Sequence, residues 1–172
     1  MRANVLGPIR TNRLLLRPLD VQDAPNYHAL ETDPEVKQFL DAPSKRSVEH
    51  YRSAIATTAA GLNTTLAVTL IDTGSFVGRC GFTEYTEYAE PLGWEINIVL
   101  HRQYWKQGYA SEIGLALISR GFSVLACEKF LGVVDEGNIP SIRLCERLQM
   151  KLERKTTRYG RSARIYAIRK NA

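Results

Sequence analysis

Trp105-Lys106-Gln107-Gly108-Tyr109-Ala110 is the stretch on which the reading of this chain turns. It joins an apolar run, Trp94 to Leu100, to a long helical pattern that begins near Ala110. Gly108 has no Cβ and Ala110 a small one, so a ligand can approach the backbone closely here. The first N–H groups of a helix lack intrahelical partners and point outward from its positive end. Together these features make a site suited to a pyrophosphate, with Lys106 supplying a compact positive charge beside it. A single glycine before a helix is equally an ordinary loop when taken alone. Two familiar phosphate sites are excluded by pattern: no Gly-Lys-Ser/Thr ends a P-loop, and no G-x-G-x-x-G marks a dinucleotide fold.

Upstream of the turn, Ile9 to Arg17 carries enough aliphatic residues for a first strand. Asp20 offers a cap to a helix over 21–31 interrupted by Pro25, and Asp33-Pro34-Glu35 opens a short helix through Phe39 and Leu40. Ser47 caps a further helix, Val48 to Ala60, which Gly61 ends. The period then changes. Thr65 to Ile71 and Phe76 to Tyr85 form a hairpin about Asp72-Thr73-Gly74-Ser75, and Leu92 to Leu100 adds a third strand, apolar enough to be covered on both faces. Ala110 to Ala126 is a helix with Ile113, Leu117 and Val124 on one apolar side, joined by Leu115, Ile118, Phe122 and Leu125. Phe130 to Val134 is a buried strand and Ile139 to Leu148 a short helix. Lys151 to Arg158 and Arg164 to Arg169 close the chain as strands. The order reads as α+β with a mixed sheet, in a single domain spanning 1–172.

A chain of 172 residues, 44% hydrophobic and 24% charged, is long enough to bury a core without metal or disulfide staples. Cys80, Cys127 and Cys145 are odd in number and widely spaced, which suits reduced thiols in a cytoplasmic protein; Cys145 reads as a buried structural residue. No apolar run reaches membrane-span length, and Met1 to Val5 lacks the long apolar segment of a secretory signal. His28, His50 and His101 do not cluster along the sequence, so no metal site is expected. The net charge of +5 is concentrated from Lys151 onward, where eight basic residues meet one acidic residue. That segment suits nucleic acid, a ribosome or a polyphosphate ligand, and equally suits solvated strand positions. Its aromatics, Tyr159 and Tyr166, are too few for a stacking platform, so no nucleic-acid partner is expected.

Glu95-Ile96-Asn97-Ile98-Val99-Leu100, followed by Gln103 to Glu112 (QYWKQGYASE), resembles the central motif of the RimJ/RimL branch of the GNAT acetyltransferases. Asn138-Ile139-Pro140-Ser141, opening a helix, resembles that branch's second block, N-x-x-S. Thr11-Asn12-Arg13-Leu14-Leu15-Leu16-Arg17 and Asp23 match its opening. The resemblance runs over nearly the whole chain, with the blocks in order. Departures are Lys106 where glycine is common, Asn97 in place of a usual glycine, Ile113 in place of alanine, and Gln149-Met150 where Gly-Phe usually follows the second helix.

The resemblance implies a largely antiparallel mixed sheet, splayed by a bulge into a V-shaped cleft and flanked by helices, and an acetyl-CoA co-substrate without metal. Backbone groups of Ile98, Val99 and Leu100 would pair with the pantetheine arm, and N–H groups of Lys106, Gln107, Gly108, Tyr109, Ala110 and Ser111 would hold the pyrophosphate. Asn138 would touch the arm from the opposite wall. Glu95 matches a position where relatives carry a carboxylate base, and equally reads as a salt-bridged strand residue. Ser141 matches the serine that protonates the departing thiolate, and equally reads as a serine satisfying helix-terminal donors. Glu84, Tyr85, Glu87, Tyr88 and Glu90 form an acidic loop that would border the acceptor and attract a cation, or stand simply solvated. The implied activity is acetylation of a primary amine, either a protein N-terminus or a small molecule, by direct attack in a ternary complex. Homodimers are common in the branch. The alternative class is a non-catalytic CoA-binding module or a basic-tail RNA or ribosome binder.

Overall fold

The aliphatic run at 9–17, expected as one strand, is a tight hairpin: β1 (Ile9–Arg10) pairs antiparallel with β2 (Leu14–Pro18). Thr11 makes the corner: its N–H donates to the Leu14 carbonyl at 2.9 Å, and its hydroxyl oxygen accepts from Leu14 N–H at 3.0 Å. The computed structural model describes residues 4–57, 64–87 and 90–170. Asp20 caps a 3-10 turn at Val21–Asp23 through a capping box with Asp23, and α1 (Ala24–Thr32) follows with Pro25 in its first turn, where a missing N–H costs nothing. The expected helix beyond Asp33-Pro34 is instead a series of turns over 34–39. Asp33 does cap it, accepting from Glu35 N–H at 2.9 Å. However, the carbonyls of Gln38 and Leu40 are taken by the Arg161 guanidinium at 2.7 and 3.0 Å. α2 (Val48–Thr57) starts at the Ser47 cap, where His50 N–H donates to Ser47 Oγ at 3.3 Å; its expected end at Ala60 and Gly61 lies outside the described residues.

The expected meander is present as β3 (Leu66–Leu70), β4 (Phe76–Glu87) and β5 (Glu90–Leu100). After it come α3 (Tyr109–Val124), β6 (Lys129–Asp135), α4 (Ile139–Arg147), β7 (Lys151–Arg158) and β8 (Arg161–Arg169). The described strands make one sheet in the order β1-β2-β3-β4-β5-β6-β8-β7, antiparallel throughout except where β5 meets β6. β4 runs past its expected end at Tyr85, so the acidic residues expected to surround a loop belong to the β4–β5 hairpin at 84–87 and 90; Tyr88 lies outside the described residues.

The main core lies between the sheet and α3. Phe130 is fully buried and stacks on Phe82 at 4.4 Å and against Phe122 at 4.5 Å. Burying one such ring contributes about 1.5–3 kcal/mol. Helix α3 can lie this close because residue 121 is glycine: a Cβ there would come within 2.5 Å of the Phe130 ring and 2.6 Å of Phe82. Ile113 and Leu117 face this core and Ile118 a second cluster with Ile142 and Cys145 of α4, whereas Leu115 and Val124 of the expected apolar set are exposed. The turn after α4 keeps a left-handed residue without glycine: Gln149 sits at φ 61°, while Met150 N–H donates to the Cys145 carbonyl at 3.0 Å. Forcing a residue with a Cβ into that region costs roughly 1–2 kcal/mol.

The feature that positions the site is the parting of β5 from β6. They pair in parallel only at Trp94↔Phe130 and Glu95↔Leu131. Beyond that point β5 stays paired with β4 as far as Leu100, and β6 with β8 as far as Asp135. Residues 96–100 and 132–135 therefore border an open wedge, so Ile96, Asn97 and Ile98 are only half-buried, and β5 is not covered on both faces as its composition suggested. The β4–β5 pairing shifts register at Tyr85/Thr86, ahead of the point where β5 leaves β6.

Candidate active site

The turn into α3 is held from the N-terminal hairpin. Glu112, in the first turn of α3, accepts from Thr11 Oγ1 at 2.6 Å, from Arg13 N–H at 2.9 Å and from Arg13 Nε at 2.8 Å. Burial acts to raise its carboxyl, but these donors and the guanidinium charge outweigh it and hold Glu112 below the ordinary carboxylate range. Arg13 Nη1 also donates to the Gln107 carbonyl at 3.0 Å, and its guanidinium lies 4.4 Å from the centre of the Tyr109 ring. The opening motif Thr11-Asn12-Arg13 thus serves as a clamp on the turn.

Within the turn, Lys106 and Gly108 adopt φ 60° and 82°. Lys106 thus takes a left-handed conformation at a position where the resemblance has glycine. Gly108 caps α3 without a side-chain hydrogen bond, and residues 105–108 are exposed. Only further in do the ordinary helix bonds start, with Ser111 and Glu112 N–H donating to the Gly108 carbonyl at 3.1 and 3.2 Å. Trp105 Nε1 donates to the Leu100 carbonyl at 2.8 Å and ties the turn to the end of β5; Arg147 Nε reaches Ser111 Oγ at 3.0 Å from α4. The donor set suits a polyphosphate: outward N–H groups at a helix N-terminus, no Cβ at 108, and the cations of Lys106 and Arg147 nearby.

The wedge runs along β5, whose end at Leu100 is tied to this turn by Trp105. Its lining includes Glu95 to Val99 on one side and Gly132 to Asp135 on the other, with Asn138 and Ser141 among the remaining wall residues. Strand alternation assigns these to two faces. Ile96 and Ile98 pack toward the core beneath α3 and α4, whereas Val99 packs with Leu30 and Val36 on the opposite face, the side shared by Glu95 and Asn97. Ser141 lines the wedge from the first turn of α4. The cap of that helix is Asn138, whose Oδ1 accepts from Ser141 N–H at 3.2 Å. Ser141 is therefore not the residue that satisfies the helix terminus.

Glu95 is 5% exposed. Both its oxygens face Arg158: Oε1 meets Nη1, and Oε2 accepts from Nη2 at 3.0 Å. Burial pushes the Glu95 carboxyl above its ordinary range, with the Arg158 guanidinium pulling the other way. Arg158 itself lies 5.8 Å from the Tyr85 ring and 5.1 Å from the Tyr159 ring. Sequence reading missed Arg158, Tyr159, Arg161, Phe39 and Leu40, all of which line the wedge. The one available signal for Arg158 was the surplus of positive charge after Lys151, coupled with the reading of Glu95 as salt-bridged. Most of that surplus is paired: Lys155 and Arg164 meet Glu136, Arg161 meets Asp135, and Arg169 meets Glu153.

The cysteines and histidines do not add a second chemistry. Burial pushes the Cys145 thiol up to about 12 and raises Cys80 further, opposite to what a reactive thiolate needs. His28 and His50 share Tyr51 as a packing partner, while His101 packs on Phe76. Among the described residues no group of three or more His, Cys, Asp or Glu is placed to hold a metal ion, and no helix is long and apolar enough to cross a membrane.

Residues 13–151 match the family model described as the acetyltransferase (GNAT) domain. The chain belongs to this family. Among relatives of this GNAT acetyltransferase, the uncharacterized N-acetyltransferase p20 of Bacillus licheniformis is 29% identical over 147 residues, covering 83% of this chain and 82% of its own length. A GNAT-family acetyltransferase from Bacillus anthracis superposes with a TM-score of 0.76 at 23% identity, over 94% of this chain and 98% of that one. RimL, a ribosomal L7/L12 alpha-N-protein acetyltransferase solved with coenzyme A, superposes with a TM-score of 0.74 at 18% identity, over 94% and 97%. The last two likenesses establish the shared fold. The splayed mixed sheet described above is the GNAT fold.

Proposed function

We propose that the chain, acting as one domain over 1–172 in the cytoplasm, transfers the acetyl group of acetyl-CoA to a primary amine in the manner of the RimJ/RimL branch. The observation that carries this reading is the placement of the wedge. It runs along β5, whose end at Leu100 is tied by Trp105 to the turn before α3, with Glu95 on one face of the sheet and Ser141 reaching the wedge from α4. Acetyl-CoA supplies an activated acyl group as a thioester, and the acceptor is a protein N-terminal α-amine or a small-molecule amine.

The backbone of Ile98, Val99 and Leu100 serves as an open strand edge for the pantetheine amides. N–H groups from Lys106 to Ser111 bind the pyrophosphate, and Asn138, already fixed by capping α4, borders the arm from the other wall. Holding two reactants on opposite faces of one gap turns a bimolecular encounter into an oriented one, which is a large part of what a direct-attack mechanism requires. The attacking nitrogen must be neutral. Glu95 Oε, raised by burial, accepts the proton from it directly or through a water. Ser141 Oγ passes its proton to the departing thiolate and regains one from the acylated nitrogen, which sheds its second proton as the amide forms, so no alkoxide is left.

Ser141→Ala tests this assignment. Turnover is expected to fall by about tenfold or more, while CoA affinity measured by calorimetry changes by less than about threefold. Equal turnover would reduce Ser141 to a wall residue. The nucleic-acid alternative is not favoured, because most cations of the basic segment are spent on neighbouring carboxylates.

A further inference from the structure

The acceptor face of the wedge carries a charge arrangement that restricts which amine it takes. On this face Glu95 is paired with Arg158, and Asp135 with Arg161 at 3.0 Å. Arg161 is committed further: it donates to the carbonyls of Gln38 and Leu40 and so pins the 34–40 segment over the opening. Arg158 is held by Glu95 and by Tyr159, yet it keeps contact with solvent. Its Nη1 and Nη2 hold Glu95, Nη1 also meets the Val133 carbonyl at 3.3 Å, and its side chain is 24% exposed against 6% for Glu95. Phe39, Leu40 and Tyr159 complete the lining on this side.

An amine that reaches Glu95 therefore arrives beside a guanidinium. A substrate with a lone ammonium group would set a second cation against Arg158 while competing for the same two oxygens. An amine that carries its own carboxylate meets no such conflict. Its nitrogen takes one Glu95 oxygen, its carboxylate takes N–H donors of Arg158, and the four charges alternate in sign. Guanidinium binds carboxylate in a two-pronged geometry that favours this exchange over a bare point charge. Because Glu95 and Arg158 touch, the two groups of the acceptor must also be neighbours, separated by about one carbon. An α-amino acid has that spacing. A peptide N-terminus does not, since its α-amine is followed by a neutral amide.

Resting on the acetyl-transfer reading above, we propose that the acceptor is a free α-amino acid or a close amino-carboxylate analogue. Arg158 binds its carboxylate, and Phe39, Leu40 and Tyr159 surround its side chain. Arg158 is thus a specificity-determining residue of the acceptor site.

The test uses matched triads on the full chain: tyrosine, tyrosinamide and tyramine; leucine, leucinamide and 3-methylbutylamine. Thiol release from acetyl-CoA gives kcat/KM for each, and calorimetry in the presence of CoA gives affinity independently of turnover. The free acid of at least one triad is expected to exceed both its amide and its decarboxylated amine by about tenfold or more in both measurements. Arg158→Gln is expected to bring the three within about threefold of one another, whereas Arg158→Lys keeps part of the preference. Circular dichroism establishes that each variant is folded, and Arg158→Lys alone suffices if the neutral variant is not. An amide or bare amine accepted as well as the acid by the unaltered protein would overturn the proposal. So would an acid preference that survives Arg158→Gln, or peptides that outcompete every acid. If the acids bind selectively through Arg158 yet no amine yields thiol, the acetyl-transfer reading fails while the receptor assignment stands.

Discussion

Replacing Gly108 by Asp is expected to weaken CoA binding by roughly 30- to 100-fold, with little loss of folded stability. The two halves of that expectation have one cause. Gly108 is the N-cap of α3, at φ 82° and without a side-chain cap. Asp is among the better N-cap residues and, with Asn, tolerates left-handed φ more readily than most side chains. Arg13 Nη2 would stand 3.4 Å from the new Cβ, so the carboxylate gains a cation as well. The helix end is thereby satisfied by the protein's own negative charge, in the place proposed for the pyrophosphate. Two like charges at 4 Å repel by about 4 kcal/mol at an effective dielectric of 20, and exposure of the turn reduces this to roughly 2–3 kcal/mol, which is the stated loss of affinity. Gly108→Asn adds similar bulk without charge and should lose much less. Calorimetry with CoA on the two variants checks this; equal affinity for Asp and Gly would refute the placement of the pyrophosphate.

Glu95→Ala should damage both stability and turnover, and a double variant separates the two. Removing one partner of a buried ion pair leaves the other uncompensated, and this costs about 3–5 kcal/mol when both are fully buried. Arg158 keeps some solvent contact, so about 2–3 kcal/mol is expected here, a fall in Tm of roughly 5–10 °C for a chain of this size. Turnover is expected to drop by about 100-fold, as for loss of a general base. The Glu95→Gln/Arg158→Gln protein replaces the ion pair by a neutral hydrogen-bonded one of similar shape. It should regain most of the lost Tm, because a neutral pair avoids desolvating two charges, but not the lost turnover. Scanning calorimetry and thiol release measure the two effects. A double variant that recovers turnover along with stability would make Glu95 purely structural.

How far the fold was legible depends on the range of the interaction involved. The β3–β5 meander, α3, β6, α4 and the two closing strands follow from hydrophobic period and turn residues, both of which are local. The hairpin at Thr11 was missed because its corner is made by one hydroxyl rather than by glycine or proline. The segment after Asp33-Pro34 carries a true cap signal, yet it forms turns whose last carbonyls are held by Arg161, more than a hundred residues away, a contact no local pattern shows. In α3 the apolar residues run nearly all round, so period alone could not show that Leu115 and Val124 face solvent. The splay of β5 from β6 has no period at all; only the family resemblance suggested it.

The same division holds at the site. The turn at 105–110 could be read because its chemistry lies in adjacent residues, and the left-handed φ of Lys106 and Gln149 falls where the resemblance places glycine. Glu95 could be singled out but not interpreted, since its meaning depends on Arg158, 63 residues downstream.

The most direct test of the account is thiol release from acetyl-CoA by the purified protein, followed with and without primary amines. Release is expected to require an amine, to saturate with it and to yield the acetylated amine by mass spectrometry. Tight CoA binding with no amine-dependent release from any acceptor in a panel of amino acids, amides, peptides and simple amines would contradict it.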